Sequence, residues 1–385
     1  MITRQRIVTF GIPTLATATI VAAALLTTAG TKKLVQPEIR PIGTIDTIPS
    51  FSSGGSHQID VVFAVDTTGS MGGLLDGAKS TVWSIASHIK QTDPAASIRI
   101  GLVAYKDVGD EYVTKPFSLT TDLDAMYAEL ASYTATGGGD TPENVDAALD
   151  DALHKMKWRS GAKKLVFVVG DAPPASRGEV PTYDVLAKEA AIAGITINTI
   201  RCGWDTQTQL TFARLAELGN GEFSTIQQDG GVQQVVSPFD DEMGKLQEKI
   251  DGTAMVYGDD SVRESYKRKM ASGAAAPAPA KADRAAYYAK GGALAEDDLV
   301  GGYASGSVEI EAVLESSLPT DMRGKDKAEI KVELEKRVSE RKGLQGQMVE
   351  LAKRRDEYLK TNAVKDGEGG FDAKVKATVE RQLKK

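Results

Sequence analysis

The stretch Asp66-Thr67-Thr68-Gly69-Ser70 follows directly on the apolar run Ile59-Asp60-Val61-Val62-Phe63-Ala64-Val65. A short apolar run closed by an oxygen-rich turn reads as a buried strand that delivers polar side chains at its carboxyl end. Asp66, Thr68 and Ser70 alternate, so in an extended or tightly turned backbone they point the same way. One carboxylate and two hydroxyls are hard ligands, suited to Mg²⁺ or Ca²⁺ and poorly suited to zinc.

Strands and helices alternate around this turn. Apolar residues at helical spacing predict a helix over 74–89, and a second apolar run predicts a strand over 98–105. A third strand is expected over 112–119, at a sheet edge because Pro116 lies within it. Helices follow over 123–133 and 141–156, the second with Pro142 near its first turn. The pattern continues with strands over 164–169, 195–200 and 221–226, helices over 185–193 and 209–218, and a closing helix over 232–250. Strands that are apolar throughout and alternate with helices imply an α/β fold with a mostly parallel sheet covered on both faces.

In an open α/β sheet, ligands bind beyond the carboxyl ends of the strands. Three oxygen clusters fall there or in adjoining loops: Asp66, Thr68 and Ser70; Gly137-Gly138-Gly139-Asp140-Thr141-Pro142-Glu143; and Gly170-Asp171-Ala172-Pro173-Pro174. Mg²⁺ takes about six oxygens and usually keeps waters, so three such loops leave a position for water or an outside ligand.

On these motifs, residues from about 58 to 250 resemble a von Willebrand factor type A domain. Asp66-Thr67-Thr68-Gly69-Ser70 matches that family's Asp-x-Ser/Thr-x-Ser signature, where the family builds its metal-ion-dependent adhesion site. The resemblance implies a Rossmann-like three-layer sandwich with one antiparallel edge strand. It also implies a site for Mg²⁺, with Ca²⁺ or Mn²⁺ as substitutes. Thr68 and Ser70 would bind the ion directly, and Asp66 and Asp171 would act through water or from behind. The second loop has Asp140 beside Thr141 where the family usually has a lone threonine, so either is a candidate. A protein partner supplying a carboxylate is the implied ligand.

The remaining features are weaker. Arg4 and Arg6 precede an apolar run to about residue 29, the layout of a secretory signal or a membrane anchor, with export and membrane association as the expectations. The chain then divides into a tether over 30–57, the type A domain over 58–251, an Ala/Gly/Pro-rich linker over 252–307 and a helical region over 308–385. Within that last region, 327–359 reads as a hairpin or broken coiled coil with its slip near Gly343 and Gly346, its charges forming a solvated face. The turn Lys106-Asp107-Val108-Gly109-Asp110-Glu111 reads as a solvated loop. Trp83, Trp158 and Trp204 read as packing residues, with lining of the ligand face as the alternative for Trp204 because it follows a strand's carboxyl end. Cys202 reads as a small buried apolar side chain.

The chain has 385 residues and a formal net charge of −7, which argues against nucleic acid as the main partner. One cysteine permits no intrachain disulfide, and with three histidines it leaves too few soft ligands for a zinc or iron–sulfur site. An exported chain without disulfides suggests a bacterial envelope protein. The function expected is a metal-dependent, adhesion-type binding module without catalysis. The alternatives are a metal-dependent phosphoesterase and an envelope scaffold acting through the C-terminal helices.

Overall fold

The computed structural model describes residues 57–139, 141–292, 295, 297–362 and 369–384. The expected N-terminal signal or anchor, the expected tether up to residue 56, and Asp140 lie outside the described residues. Six strands form one sheet: β1 (Gln58–Asp66), β2 (Ser97–Tyr105), β3 (Thr114–Thr120), β4 (Lys163–Gly170), β5 (Ile195–Cys202) and β6 (Asn220–Ile226). Their order is β3-β2-β1-β4-β5-β6, all parallel except β3, which runs antiparallel to β2 at the edge. Pro116, opposite Val103, sits on that edge strand, where a missing N–H costs least. The chain leaves β1 towards β2 on one side and returns to β4 on the other. The carboxyl ends of β1 and β4 therefore flank a topological switch point, the usual place for a ligand crevice.

Strand alternation divides the core into two layers. Ile59, Val61, Phe63 and Val65 face α1 (Gly72–Thr92) and α2 (Leu123–Ser132). Val62 and Ala64 face α3 (Val145–His154), α4 (Tyr183–Ile192) and α5 (Thr206–Leu218). This is the three-layer α/β sandwich the sequence implies.

The C-terminal third departs from expectation. The closing helix, α6 (Asp240–Gly252), starts eight residues later than 232. Pro238 disfavours helical backbone at Ser237, and the Ser237 hydroxyl and amide bind the Asp240 carboxylate at 2.6 and 2.8 Å. The stretch expected as a linker contains α7 (Asp260–Ala275), α8 (Ala278–Ala289) and α9 (Leu299–Ser305). Alanine is the strongest helix former, and Pro277 and Pro279 sit at the cap and first turn of α8, where proline is tolerated. Buried Ala282, Ala285 and Ala286 let α8 approach its neighbours closely. Nor does 327–359 break: α10 (Lys327–Thr361) runs through Gly343 and Gly346. Glu335, Lys336, Glu340, Lys342, Glu350 and Lys353 form the expected solvated face, but Arg341 and Arg355 are buried in ion pairs with Asp298 and with Asp240 and Asp283, so the helix packs onto its neighbours rather than forming a coiled coil. Finally α11 (Phe371–Leu383) returns to the sheet, with Phe371, Val375 and Val379 in the same core layer as Phe63. Among the described residues, no helix is long and apolar enough to cross a membrane.

Candidate metal centre at the carboxyl edge of the sheet

Asp66 is the last residue of β1 and is fully buried. Its Oδ1 accepts hydrogen bonds from the Thr68 amide (2.8 Å) and the Thr68 hydroxyl (2.7 Å), and the Thr68 and Ser70 hydroxyl oxygens are 3.4 Å apart. The turn thus gathers the three oxygens of the motif on one side. Asp66 Oδ2 has no hydrogen-bond partner among the described residues. Burial pushes the Asp66 carboxyl up to about 7, against the lowering effect of the Thr68 bonds, and the nearby Asp171 carboxylate adds to the rise. An orphaned, buried carboxylate oxygen is costly and calls for a partner.

The second loop is stitched to the first. The Gly69 amide donates to the Gly137 carbonyl at 3.1 Å, and the Thr136 amide to the Thr67 carbonyl at 3.2 Å. Gly138 has φ +76°, and a Cβ there would stand 2.8 Å from Thr68 Cβ, so glycine is required on both counts. The expected helix over 141–156 begins only at Val145, because the Asn144 side chain caps the Ala147 amide at 3.0 Å. Residues 141–143 are instead non-helical, and Glu143 bridges to Pro174 of the third loop. Thr141 is exposed, whereas the Glu143 carboxyl is buried, with Oε1 beside Gly138. Glu143 belongs to the second oxygen cluster, but nothing in the motif distinguishes it from its neighbours. Its place in a polar loop, two residues before the helix, gives no hint of a side chain folded inward.

The third loop begins at Gly170, where a Cβ would come 2.4 Å from Tyr105 Oη and 3.4 Å from Asp66 Oδ2. Asp171 accepts a 2.6 Å hydrogen bond from Gln228 Nε2, which also donates to the Ser70 carbonyl at 3.3 Å. Gln228, from the loop after β6, therefore ties the first and third loops together. Sequence reasoning missed it, since a lone glutamine carries no motif.

Two further expectations are corrected here. The turn at 106–111 is a brace, with Lys106 and Asp107 buried. Lys106 Nζ donates to the Thr136 carbonyl (2.6 Å) and hydroxyl (2.8 Å), Asp107 pairs with Arg177 beyond β4, and Asp110 accepts from the Gly138 amide at 3.0 Å. Trp83 is buried and stacks on Tyr127 at 3.9 Å, but Trp204 is 79% exposed and lines a depression with Ser70. Cys202 is buried, and burial holds its thiol well above the usual range.

Among the described residues, no group of three or more His, Cys, Asp and Glu is placed to hold a metal ion. A cation here would rely on hydroxyls together with acids. The donor set is entirely oxygen, and one buried carboxylate oxygen has no hydrogen-bond partner among the described residues, a combination that fits a hard divalent ion.

Residues 60–235 match the von Willebrand factor A domain family. The chain is 30% identical over 121 residues to the alpha-protein kinase vwkA of Dictyostelium discoideum, covering 31% of this chain and 19% of that protein. It is 35% identical over 127 residues to von Willebrand factor A domain-containing protein 7 of Rattus norvegicus, covering 31% of this chain and 13% of that protein. The match thus spans less than a fifth of these curated relatives. Among solved structures, proximal thread matrix protein 1 from the mussel byssus, described with a zinc-occupied adhesion motif, is 16% identical with a TM-score of 0.37, covering 45% of this chain and 43% of that one. The family match and the sheet order agree that residues 60–235 carry a von Willebrand factor A domain.

Proposed function

We propose that this domain is a metal-dependent protein-binding module that holds Mg²⁺ at the carboxyl edge of the sheet and engages an acidic residue of a partner. Domains of this family typically mediate protein interactions. The observation that carries the metal reading is Asp66: Oδ1 is anchored by Thr68, whose hydroxyl lies 3.4 Å from that of Ser70, while Oδ2 is buried with no hydrogen-bond partner among the described residues. Thr68 and Ser70 would hold the ion directly, and Asp66 and Asp171 would support it, with Asp140 or Thr141 contributing from the second loop. A bound divalent ion supplies an open position for an anionic oxygen. The chain's own residues fix the geometry, since Gln228 holds Asp171 and Gly138 lets the second loop close on Thr68. The N-terminal Arg4 and Arg6 before an apolar run support presentation from a bacterial envelope, whether anchored, periplasmic or secreted.

The test is calorimetric titration of MgCl₂ into the wild type, Asp66→Ala and Ser70→Ala, with thermal melts by circular dichroism. Binding by the wild type and its loss in both folded variants is expected. Unchanged Mg²⁺ affinity in both would overturn the assignment. The role proposed is binding rather than turnover, so metal-dependent hydrolysis of phosphate esters, lost in Asp66→Ala, would favour a hydrolase instead.

A further inference from the structure

We propose that the depression beside the metal centre receives a guanidinium group from the same partner segment that brings the carboxylate. This rests on the metal-dependent reading above and adds a second recognition element to it. The depression has a volume of about 440 Å³ and is lined by Ser70, Gly73, Trp204, Gln227, Gln228 and Asp229. Ser70 belongs to both features, so a ligand on the metal is already at the lip of the depression. Trp204 stands in the turn between β5 and α5, just after Gly203, whose amide is tied to the Ile226 carbonyl at 3.1 Å. Its ring is 79% exposed although it adjoins a well-built site. A large aromatic ring left open to water beside a site offers a face on which a cation can stack.

The chemistry of the lining selects the occupant. Asp229 is the one charged residue among the six, and it is exposed. Its Oδ1 accepts a 3.0 Å hydrogen bond from the Gly231 amide, which orients the carboxylate. An indole face next to a carboxylate and two amides suits a planar cation, which stacks on the ring and donates to the acid in a fork. The floor is firm, because Gln228 is bonded to both Asp171 and the Ser70 carbonyl. An aliphatic guest would gain nothing from Asp229, and an acidic one would be repelled by it.

The experiment uses the full chain in saturating MgCl₂ and fluorescence anisotropy of labelled heptapeptides. Each peptide carries one Asp and, one to four residues away, an Arg, a Leu or a Glu. At one or more spacings the Asp/Arg peptide is expected to bind about tenfold more tightly than its Asp/Leu counterpart. Trp204→Ala and Asp229→Asn should each erase that advantage while calorimetric Mg²⁺ affinity stays unchanged. Absence of Mg²⁺ binding by the wild type would sink the underlying metal reading. With Mg²⁺ bound, three results would overturn the guanidinium site alone: equal binding of Asp/Arg and Asp/Leu peptides at every spacing, no peptide binding, or an advantage that survives both substitutions.

Discussion

Asp60 and Asp66 lie at opposite ends of β1, share a side of the sheet with Val62 and Ala64, and are both fully buried. Their surroundings are opposite. Arg99 grips Asp60 with bonds of 3.0 and 2.7 Å, and Arg159 adds its Nε and its backbone amide, each at 2.9 Å. Burial pushes the Asp60 carboxyl up, but these arginine bonds outweigh it and hold the group below its ordinary 3.8. Asp66 ion-pairs with no cation among the described residues, and burial pushes it up to about 7. One edge of the sheet neutralises its buried acid from within the chain. The other surrounds its acid with hydroxyls and a second acid, and leaves the compensating charge to come from outside. Burial alone therefore does not separate a structural carboxylate from a functional one; the partners do.

The largest expected effect tests the amino edge. Asp60→Ala removes the carboxylate from between two guanidinium groups, and breaking a buried pair in this way costs about 3 kcal/mol. That is the lower end of the usual range, because both guanidinium groups keep some access to water. Urea denaturation should show the loss with or without Mg²⁺. Because the Asp60 pKa is depressed, its contribution is fully present above 3.8 and fades as pH falls through the lowered folded value. The gap between wild type and variant should hold between about pH 5 and 8 and narrow below about pH 4. A cost under about 1 kcal/mol would break the contrast at this end.

A second test acts at the carboxyl edge. Asp66→Asn keeps an acceptor for the Thr68 amide but removes the uncompensated charge. In EDTA the variant should lie within about 1 kcal/mol of wild type, the range for a hydrogen bond largely retained. With Mg²⁺ at a hundred times its dissociation constant, the wild type should gain about 2.7 kcal/mol and the variant nothing. Asp60→Asn should keep the full Mg²⁺ increment. An increment shared by Asp66→Asn would place the ion elsewhere.

The same contrast explains what was legible in the sequence. β1, β2, β4 and β5 are short apolar runs, and a strand buried on both faces leaves just that trace. Pro116 marks the edge, and the candidates Asp66, Thr68, Ser70 and Asp171 stand out because each lies at or just past the carboxyl end of such a strand. Less legible were positions whose environment is made by distant chain. Lys106 and Asp107 look like any polar turn until Thr136 and Arg177 close over them. The Ala-rich stretch of α8 is a linker by composition and a core helix only because α1 and α6 stand ready to cover it. Asp60 sat unnoticed inside an apolar run, since its partners Arg99 and Arg159 come from β2 and the turn before β4.

Two glycines allow the smallest and most selective comparison of the edges. Gly138, at the metal centre, has φ +76°; Gly161, in the turn entering β4 at the amino edge, has φ +75°. A Cβ on Gly138 would meet Thr68 Cβ at 2.8 Å, whereas one on Gly161 would meet nothing within 4 Å among the described residues. Alanine at either position carries the same left-handed strain, about 1 kcal/mol. Gly138→Ala should therefore melt below Gly161→Ala, because the buried Thr68 Cβ must shift as well. Their Mg²⁺ affinities should part. Gly161→Ala leaves every candidate ligand in place, while Gly138→Ala pushes Thr68 away from the Asp66 and Ser70 oxygens and should weaken binding about tenfold. Calorimetry on the pair separates backbone strain from ligand displacement. Equal Mg²⁺ affinities would mean that the Thr68 hydroxyl does not face the ion.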